Sequence, residues 1–514
     1  MGKKRYKKKC VIGPLNAEKR NVRAYKVRNK AAKVQEEGSS SKQQCNGDEG
    51  LYSNKLGNFS KGLPHNTMGE VDLSSYDLYI KALKSGKGKD FESIPMGDVV
   101  KLANPQAAYV YDLIGADCHK LGIAAPPRFS SAWAAGEMVE LYWQALTRDV
   151  PFAEYDTHPL TTAAASELSV LSDFHGPKVN GYVTPGTLFR GNTPGDLAGP
   201  YLSQFLWMNI PFGAKTITQQ YRTTPAGSDF MTNYDDWLKI QNGVPPVVPE
   251  WEPTSRYITN GRDLAEYVHL DFSFQASLSA CLILLGLGKG AIAASNPYLQ
   301  SATEGGFITF GAPHIQDLVT KVARVALEAA WYQKFLVHRR LRPEEFGGRV
   351  HLQKVHQASY PIHNDLLDSH ALSEVFKKFG TYLLPMAYPE GCPTHPAYPA
   401  GHACIIGAGV TVLKAFFNEL FVLPNPVVVH ADGQTLIPYE GDLLTIGGEL
   451  NKLASNIALS RDTAGVHWRS DGSEGLKLGE TVAIEVLKDF SKTYNEKFSG
   501  FTLTRFDGTT ITIN

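Results

Sequence analysis

The sequence predicts an all-α protein built from helical bundles, with two small β-hairpins. Three observations support this. Apolar residues recur at helical spacing in at least five long stretches. No strand–helix–strand alternation runs through the chain, and no Gly-rich nucleotide fingerprint follows a strand. Only two short β-branched runs flank an Asp-Gly turn signal.

In chain order, Ser130 to Arg148 carries apolar residues at helical spacing, with serines available as N-cap. Residues 150–260 hold Gly176-Pro177, Pro185-Gly186 and Pro245-Pro246, which predict long loops. Gly261 to Leu287 reads as one helical region, apolar all round toward its end and therefore buried. A strong amphipathic helix is expected from Ile315 to Arg340, ended by Pro343. Leu366 to Tyr382 is expected as another. The run Val427-Val428-Val429 before Asp432-Gly433 predicts a hairpin, and Phe498 to Ile513 around Asp507-Gly508 predicts a second. Helices are expected at Gly448–Ser460 and Gly475–Tyr494.

Of the 514 residues 43% are hydrophobic and 20% charged, as in an ordinary enzyme with a large core. The formal net charge is zero but unevenly placed. Thirteen Lys/Arg lie in residues 1–33 against Glu18 alone, which leaves the rest of the chain at a net of −12. That basic segment lacks the apolar core of a secretory signal, so an intracellular start is expected. It reads as a solvated, mobile terminus, and no nucleic-acid partner is expected. Residues 34–70, rich in Gly, Ser, Asn, Gln and Lys, read as a linker. The expected division is a tail and linker over 1–70 and a helical domain over 71–514, with the site inside 331–470. The longest apolar run, Ala280 to Leu287, is far short of the roughly 18 residues that a membrane span needs. Six cysteines are scattered without a CxxC pair, which argues against a zinc site and a disulfide scaffold while leaving one or two bridges open.

Three segments carry chemistry. In Pro399-Ala400-Gly401-His402 an extended lead-in meets a buried helix running to Phe417, whose free N–H groups suit an anion. Lys334 and Arg342 are eight residues apart, which on a regular helix leaves their side chains about 80° apart, close enough to serve one centre. Arg461 and His467 bracket Ala464-Gly465, where the chain can turn back toward the same point. One lysine, two arginines, a glycine N–H and two histidines make a set for a tetrahedral oxyanion. Guanidinium groups bind it bidentately, lysine adds a point charge, and one histidine can bond the central atom while the other moves protons.

These segments resemble the superfamily that joins type 2 phosphatidic acid phosphatases, bacterial acid phosphatases and vanadium-dependent haloperoxidases. The Lys–Arg gap fits the haloperoxidases, since the phosphatases usually have one residue fewer there. The stretches WYQKFLVHRRLRPEEFGGRV (331–350) and PTHPAYPAGHA (393–403) are similar to red-algal and cyanobacterial bromoperoxidases. The resemblance covers the chain from about residue 70 onward. It implies vanadate as cofactor, with His467 as the vanadium ligand. Lys334, Arg342 and Arg461 would neutralise its oxygens, the Gly401 N–H would donate to one of them, and His402 would be the acid–base group. His395 falls where red-algal enzymes carry a further active-site histidine. Trp331 occupies a position tied to halide preference, where those enzymes have arginine, which leaves bromide, iodide and chloride all open.

The family motif is Pro-Ser-Gly-His, and Ala400 here removes the hydroxyl donor. The implied activity is oxidation of halide by hydrogen peroxide to a hypohalous-acid species that halogenates organic substrates. The resemblance also implies two four-helix bundles, within a subunit or across a subunit pair, and a homo-oligomer, a dimer or larger. His351, His356, His363 and His370 are expected in packing and surface roles, with a structural divalent cation such as calcium as the other use for them. Two other functions share the pattern: an acid phosphatase with a phosphohistidine at His467, and a non-catalytic oxyanion-binding protein.

Overall fold

In the computed structural model, which describes residues 12–514, the chain folds into sixteen α-helices and three two-stranded antiparallel hairpins. The first half carries α1 (Ala17–Glu37), α2 (Asp48–Leu51), α3 (Leu73–Ser85), α4 (Gly88–Phe91), α5 (Ala132–Thr147), α6 (Pro159–Val170), α7 (Tyr234–Gln241), α8 (Gly261–Tyr267) and α9 (Gln275–Leu285). The second carries α10 (Ala312–Tyr332), α11 (Pro343–Lys354), α12 (Asn364–Leu367), α13 (His370–Phe379), α14 (Gly401–Phe416), α15 (Ile446–Thr463) and α16 (Arg469–Ser491). The hairpins are β1–β2 (Ile210–Phe212, Lys215–Ile217), β3–β4 (Val427–Val429, Leu436–Pro438) and β5–β6 (Phe501–Thr504, Thr510–Ile513).

The centre is a bundle of α10, α14, α15 and α16. Helix α14 is buried along almost its whole length and is flanked by the other three. Its backbone approaches α16 closely because both helices are small at the crossing. A Cβ at Gly479 would lie 2.1 Å from the Cys404 carbonyl oxygen, and one at Gly407 would lie 2.6 Å from that of Leu476. Helix α5 centres a second packed group with α6, α12 and α13, and α15 touches both groups.

The all-helical fold follows the sequence, as do the hairpins at Val427 and Phe501, but several boundaries differ. The expected helix from Ile315 to Arg340 is α10, followed by a π turn over Gln333–His338 and a left-handed Arg339 at φ 44°. Pro343 does not end it; it starts α11 from the N1 position, where a missing N–H costs nothing. Leu366–Tyr382 divides into α12 and α13 because Ser369 caps the second through the Leu372 N–H. Gly261–Leu287 divides into α8 and α9 around residues 268–274. Inside the expected long loops lie α6, α7 and the β1–β2 hairpin.

The stretch 34–70 is no simple linker. Leu56, Phe59 and Leu63 are buried, and the Phe59 N–H donates to the Arg339 carbonyl at 2.9 Å. Polar composition hid this because Ser60 and Lys61 are themselves buried, each on a partner from α11: Ser60 on Glu345 and Lys61 on Glu344. Much of the basic run belongs to α1, which has no fully buried residue, while Lys3 to Lys9 lie outside the described residues. Cys10 does too, and the other five cysteines are free. No described helix is long and apolar enough to cross a membrane.

Candidate active site

The site lies where the N-terminus of α14, the π turn, the start of α11 and the α15–α16 connection meet. Helix α14 begins at Gly401 with Ala400 as N-cap, and no side chain caps it. Its lead-in is fixed by two contacts: the Ala400 N–H donates to the Asp471 carbonyl and the Ala397 N–H to that of Arg340, at 2.9 and 3.0 Å.

Lys334 is wholly buried and donates from Nζ to the Pro396 and Ala397 carbonyls at 2.8 and 2.7 Å. Burial, and then the neighbouring Arg342 charge, push its pKa well below the ordinary lysine value. Arg342, also buried, donates from Nε to the His395 carbonyl at 2.9 Å and from Nη1 to the Val466 carbonyl at 2.7 Å. Arg461 donates from Nη1 to the Val268 carbonyl at 2.6 Å and stands over the Tyr388 ring, while its buried Nε has no partner. Burial, and then the charges of Arg342, Lys334 and Arg461, hold the pKa of His467 well below the ordinary imidazole value, with Arg342 in direct contact at 3.0 Å. Among the described residues none of the three is ion-paired to a carboxylate; Asp471 is held by Arg340 at 2.8 Å, and Glu345 accepts from the Arg342 backbone N–H at 2.9 Å. The regular-helix angle between Lys334 and Arg342 does not apply, because the π turn and Arg339 separate them; they converge from two backbone segments.

His467 is 2% exposed. Its Nδ1 stands 2.8 Å from Asp471 Oδ2, so it carries the proton and leaves a lone pair on Nε2, which faces Arg342 Nη1 at 3.0 Å. Asp471 sits four residues on, within the first turn of α16. Arg340 bridges Asp471 to Glu137, giving the order His467, Asp471, Arg340, Glu137.

His402 is one quarter exposed and bonds Asp271 Oδ1 through Nε2 at 3.0 Å. His395 lies 2.9 Å from Arg342 Nη2 through Nδ1, and its ring tilts against Trp331 with centroids 4.9 Å apart. Trp331 is pinned by its indole N–H to the Ala103 carbonyl at 3.1 Å. A Cβ at Gly401 would reach only ordinary contact with Leu327 and Trp331, at 3.4 and 3.7 Å.

These observations suit a tetrahedral oxyanion such as vanadate: three buried cations without a carboxylate ion pair, an unpartnered guanidinium nitrogen, a helix N-terminus that no side chain caps, and an imidazole lone pair. The structure thus brings together Lys334, Arg342, Arg461, His467 and His395, and sets Trp331 against both Gly401 and His395. Ala400 is buried beside them and His402 opens toward solvent.

Sequence reasoning missed Asp271, Asp471, Arg340 and Tyr388. Asp471 had a signal, since its spacing from His467 is one helical turn; Asp271, 131 residues from His402, had none. His351, His356, His363 and His370 lie apart from these contacts: His351 accepts from the Tyr382 N–H, His363 caps α12, and His370 pairs with Glu374. Among the described residues no group of three or more His, Cys, Asp or Glu is placed to hold a metal ion.

The family model described as the VCPO second helical-bundle domain matches residues 322–496, the span that holds most of this site. A vanadium-dependent bromoperoxidase of Ascophyllum nodosum is 34% identical over 538 aligned residues, covering 98% of this chain and 95% of its own. One from Corallina pilulifera is also 34% identical, covering 91% and 94%. In structure the chain is similar to the homohexameric second vanadate-dependent bromoperoxidase of Ascophyllum nodosum, with a TM-score of 0.93, 30% identity, and coverage of 98% of this chain and 91% of that one. With such identity along nearly its whole length, the chain belongs to the vanadium-dependent bromoperoxidase family.

Proposed function

We propose that the protein is a vanadium-dependent haloperoxidase, which oxidises halide with hydrogen peroxide to a hypohalous-acid species that halogenates organic molecules. The observation that carries this is a buried histidine whose Nδ1 proton is held by Asp471 and whose Nε2 faces Arg342, in the field of two further buried cations, Lys334 and Arg461, none of the three ion-paired to a carboxylate. In our assignment His467 holds vanadium through Nε2. Lys334, Arg342 and Arg461 balance the charge of the oxygens, and the Gly401 N–H donates to one of them.

Vanadate, when bound, supplies a Lewis acid that activates peroxide toward halide without needing an electron-transfer partner. The rest is the work of the chain. Asp471 keeps the Nδ1 proton on His467 and holds the ring in one orientation. His402, bonded to Asp271 by Nε2, has its other ring nitrogen left to take and return the protons of peroxide. Beside a bound oxyanion Lys334 would be held protonated against the burial and the Arg342 charge that lower its pKa, and would donate where negative charge develops. His395 and Trp331 form the wall that meets the halide, and Trp331 in place of arginine supports a range wider than bromide alone. Ala400 offers no hydroxyl, so weaker cofactor retention is expected than with serine. We also propose that the protein is a homo-oligomer, on the likeness to a homohexameric relative.

The test is halogenation of a dye with peroxide and bromide, chloride or iodide, on protein stripped of metals and again after orthovanadate. Phosphate-ester hydrolysis is measured alongside. Activity restored by vanadate is expected; ester hydrolysis inhibited by vanadate without halogenation would replace this function with a phosphatase.

A further inference from the structure

The basic segment plays no part in the proposed chemistry, yet over residues 17–37 it has a definite form. At about 100° per residue, Ala24, Val27, Ala31 and Gln35 fall on one side of α1, and these four are half-buried against the body. The docking is specific. Gln35 Nε2 reaches Glu485 and Asp489 on α16 at 3.3 and 3.4 Å, and Lys120 Nζ donates to the Gln35 and Glu36 carbonyls at 2.6 and 2.8 Å.

The same geometry puts Lys19, Arg23, Lys26, Lys30 and Lys33 in a single row on a face turned to solvent. At about 1.5 Å per residue the row is about 21 Å long. Only Lys33 has an acidic neighbour in reach, Glu37 at 3.4 Å, and that pair is exposed. Beside the row are two apolar side chains, Val22 at 54% and Tyr25 at 66% exposed. On the body next to α1, Tyr111 and Leu113 are 81% and 99% exposed.

We infer that this outer face of α1 is a subunit interface that docks on the acidic body of a second copy of the chain. The inference rests on the homo-oligomer proposed above and names the element that makes it. Charge complementarity selects the occupant: beyond residue 33 the chain carries a net of −12. The homohexameric relative superposes on 98% of this chain, which leaves out too few residues for all of α1 to fall outside the match. A second copy also covers Val22, Tyr25, Tyr111 and Leu113, which a solvated basic helix would leave in water.

The experiment measures particle mass by mass photometry and light scattering on the full chain, at about 0.1 M and about 1 M salt, where the screening length falls from about 10 Å to about 3 Å. It compares the wild type with a fivefold variant (Lys19→Glu, Arg23→Glu, Lys26→Glu, Lys30→Glu, Lys33→Glu) and, separately, with a double variant (Val22→Ser, Tyr25→Ser). The expected result is a wild-type oligomer that loses mass at high salt, and variants of half the mass or less at low salt with vanadate-dependent activity per chain retained. The double variant keeps the test open if the fivefold one does not fold. An oligomer of unchanged mass in either folded variant overturns the interface while leaving the oligomer standing. A wild-type monomer at both salts overturns the oligomer and the interface together. A monomer that binds heparin through the five cations would assign the row to a polyanion instead.

Discussion

Ala400 offers a quantitative test of the site, because a single oxygen added there should act in two ways. The residue is the N-cap of α14, at φ −68° and ψ 126°, fully buried, with no side chain capping the helix. In Ala400→Ser the hydroxyl oxygen can accept from a backbone N–H of the first turn, while its hydrogen donates to the anion beside Gly401. Capping by serine instead of alanine is worth about 1 kcal/mol. A hydrogen bond to a charged group is worth about 1.5–3 kcal/mol, and at about 1.4 kcal/mol per tenfold the vanadate Kd should fall by roughly 10–150-fold. Equilibrium dialysis of metal-stripped protein against orthovanadate measures the second effect; the thermal midpoint without vanadate measures the first. A raised midpoint with unchanged vanadate affinity would refute the placement of the anion at this helix end.

Three more perturbations follow from the contacts around the site. Asp471→Asn loses the charge and keeps one acceptor oxygen, and with Arg340 holding that oxygen it turns an amide N–H toward His467 Nδ1, which should weaken vanadate binding by about 10–100-fold, read by the same dialysis, with the fold retained by circular dichroism. Lys61→Met leaves Glu344 as an unpaired buried charge beneath the loop that carries His395, since Lys61 Nζ otherwise bonds Glu344 at 2.9 Å and the Glu390 carbonyl at 2.7 Å. Urea unfolding should show a loss of about 3–5 kcal/mol, and Lys61→Arg should recover part of it. His269 sits between Glu266 and Glu390 at 3.1 and 2.7 Å; burial opposes its charge, but the two carboxylates raise its pKa from 6.5 to about 9. A raised folded-state pKa gives stability that is fully present below pH 6.5 and lost as pH rises through about 9. The thermal midpoint should therefore fall more steeply between pH 7 and 9.5 in the wild type than in His269→Gln.

The parts of the site legible in the sequence were those with local signals. Pro399-Ala400-Gly401-His402 announced a helix start, and Lys334, Arg342, Arg461 and His467 stood at spacings that a resemblance could recognise. The partners that orient them carried no such signal. Asp271 meets His402 only through the tertiary fold, and Glu137 joins Arg340 across 203 residues. Residues 56–63 misled for a different reason. Their polar letters suit a linker, but Ser60 and Lys61 are satisfied by two glutamates of α11, and composition cannot report a partner. Pro343 likewise marks a helix boundary without saying on which side the helix lies.

The π turn at Gln333–His338 has one further consequence. A π turn closes its hydrogen bonds one residue later than an α turn, so it stores an additional residue without lengthening the helix axis in proportion. Lys334 is the second residue of that turn, and Arg342 follows it by eight residues. Lys334 therefore sits in the wider turn that follows α10, and Arg342 is the N-cap of α11, so the two cations are carried by separate backbone segments. A side chain on the wider turn is set at a different angle from one on a regular helix, so the direction of Lys334 toward the Pro396 and Ala397 carbonyls is fixed by the turn and not by α10.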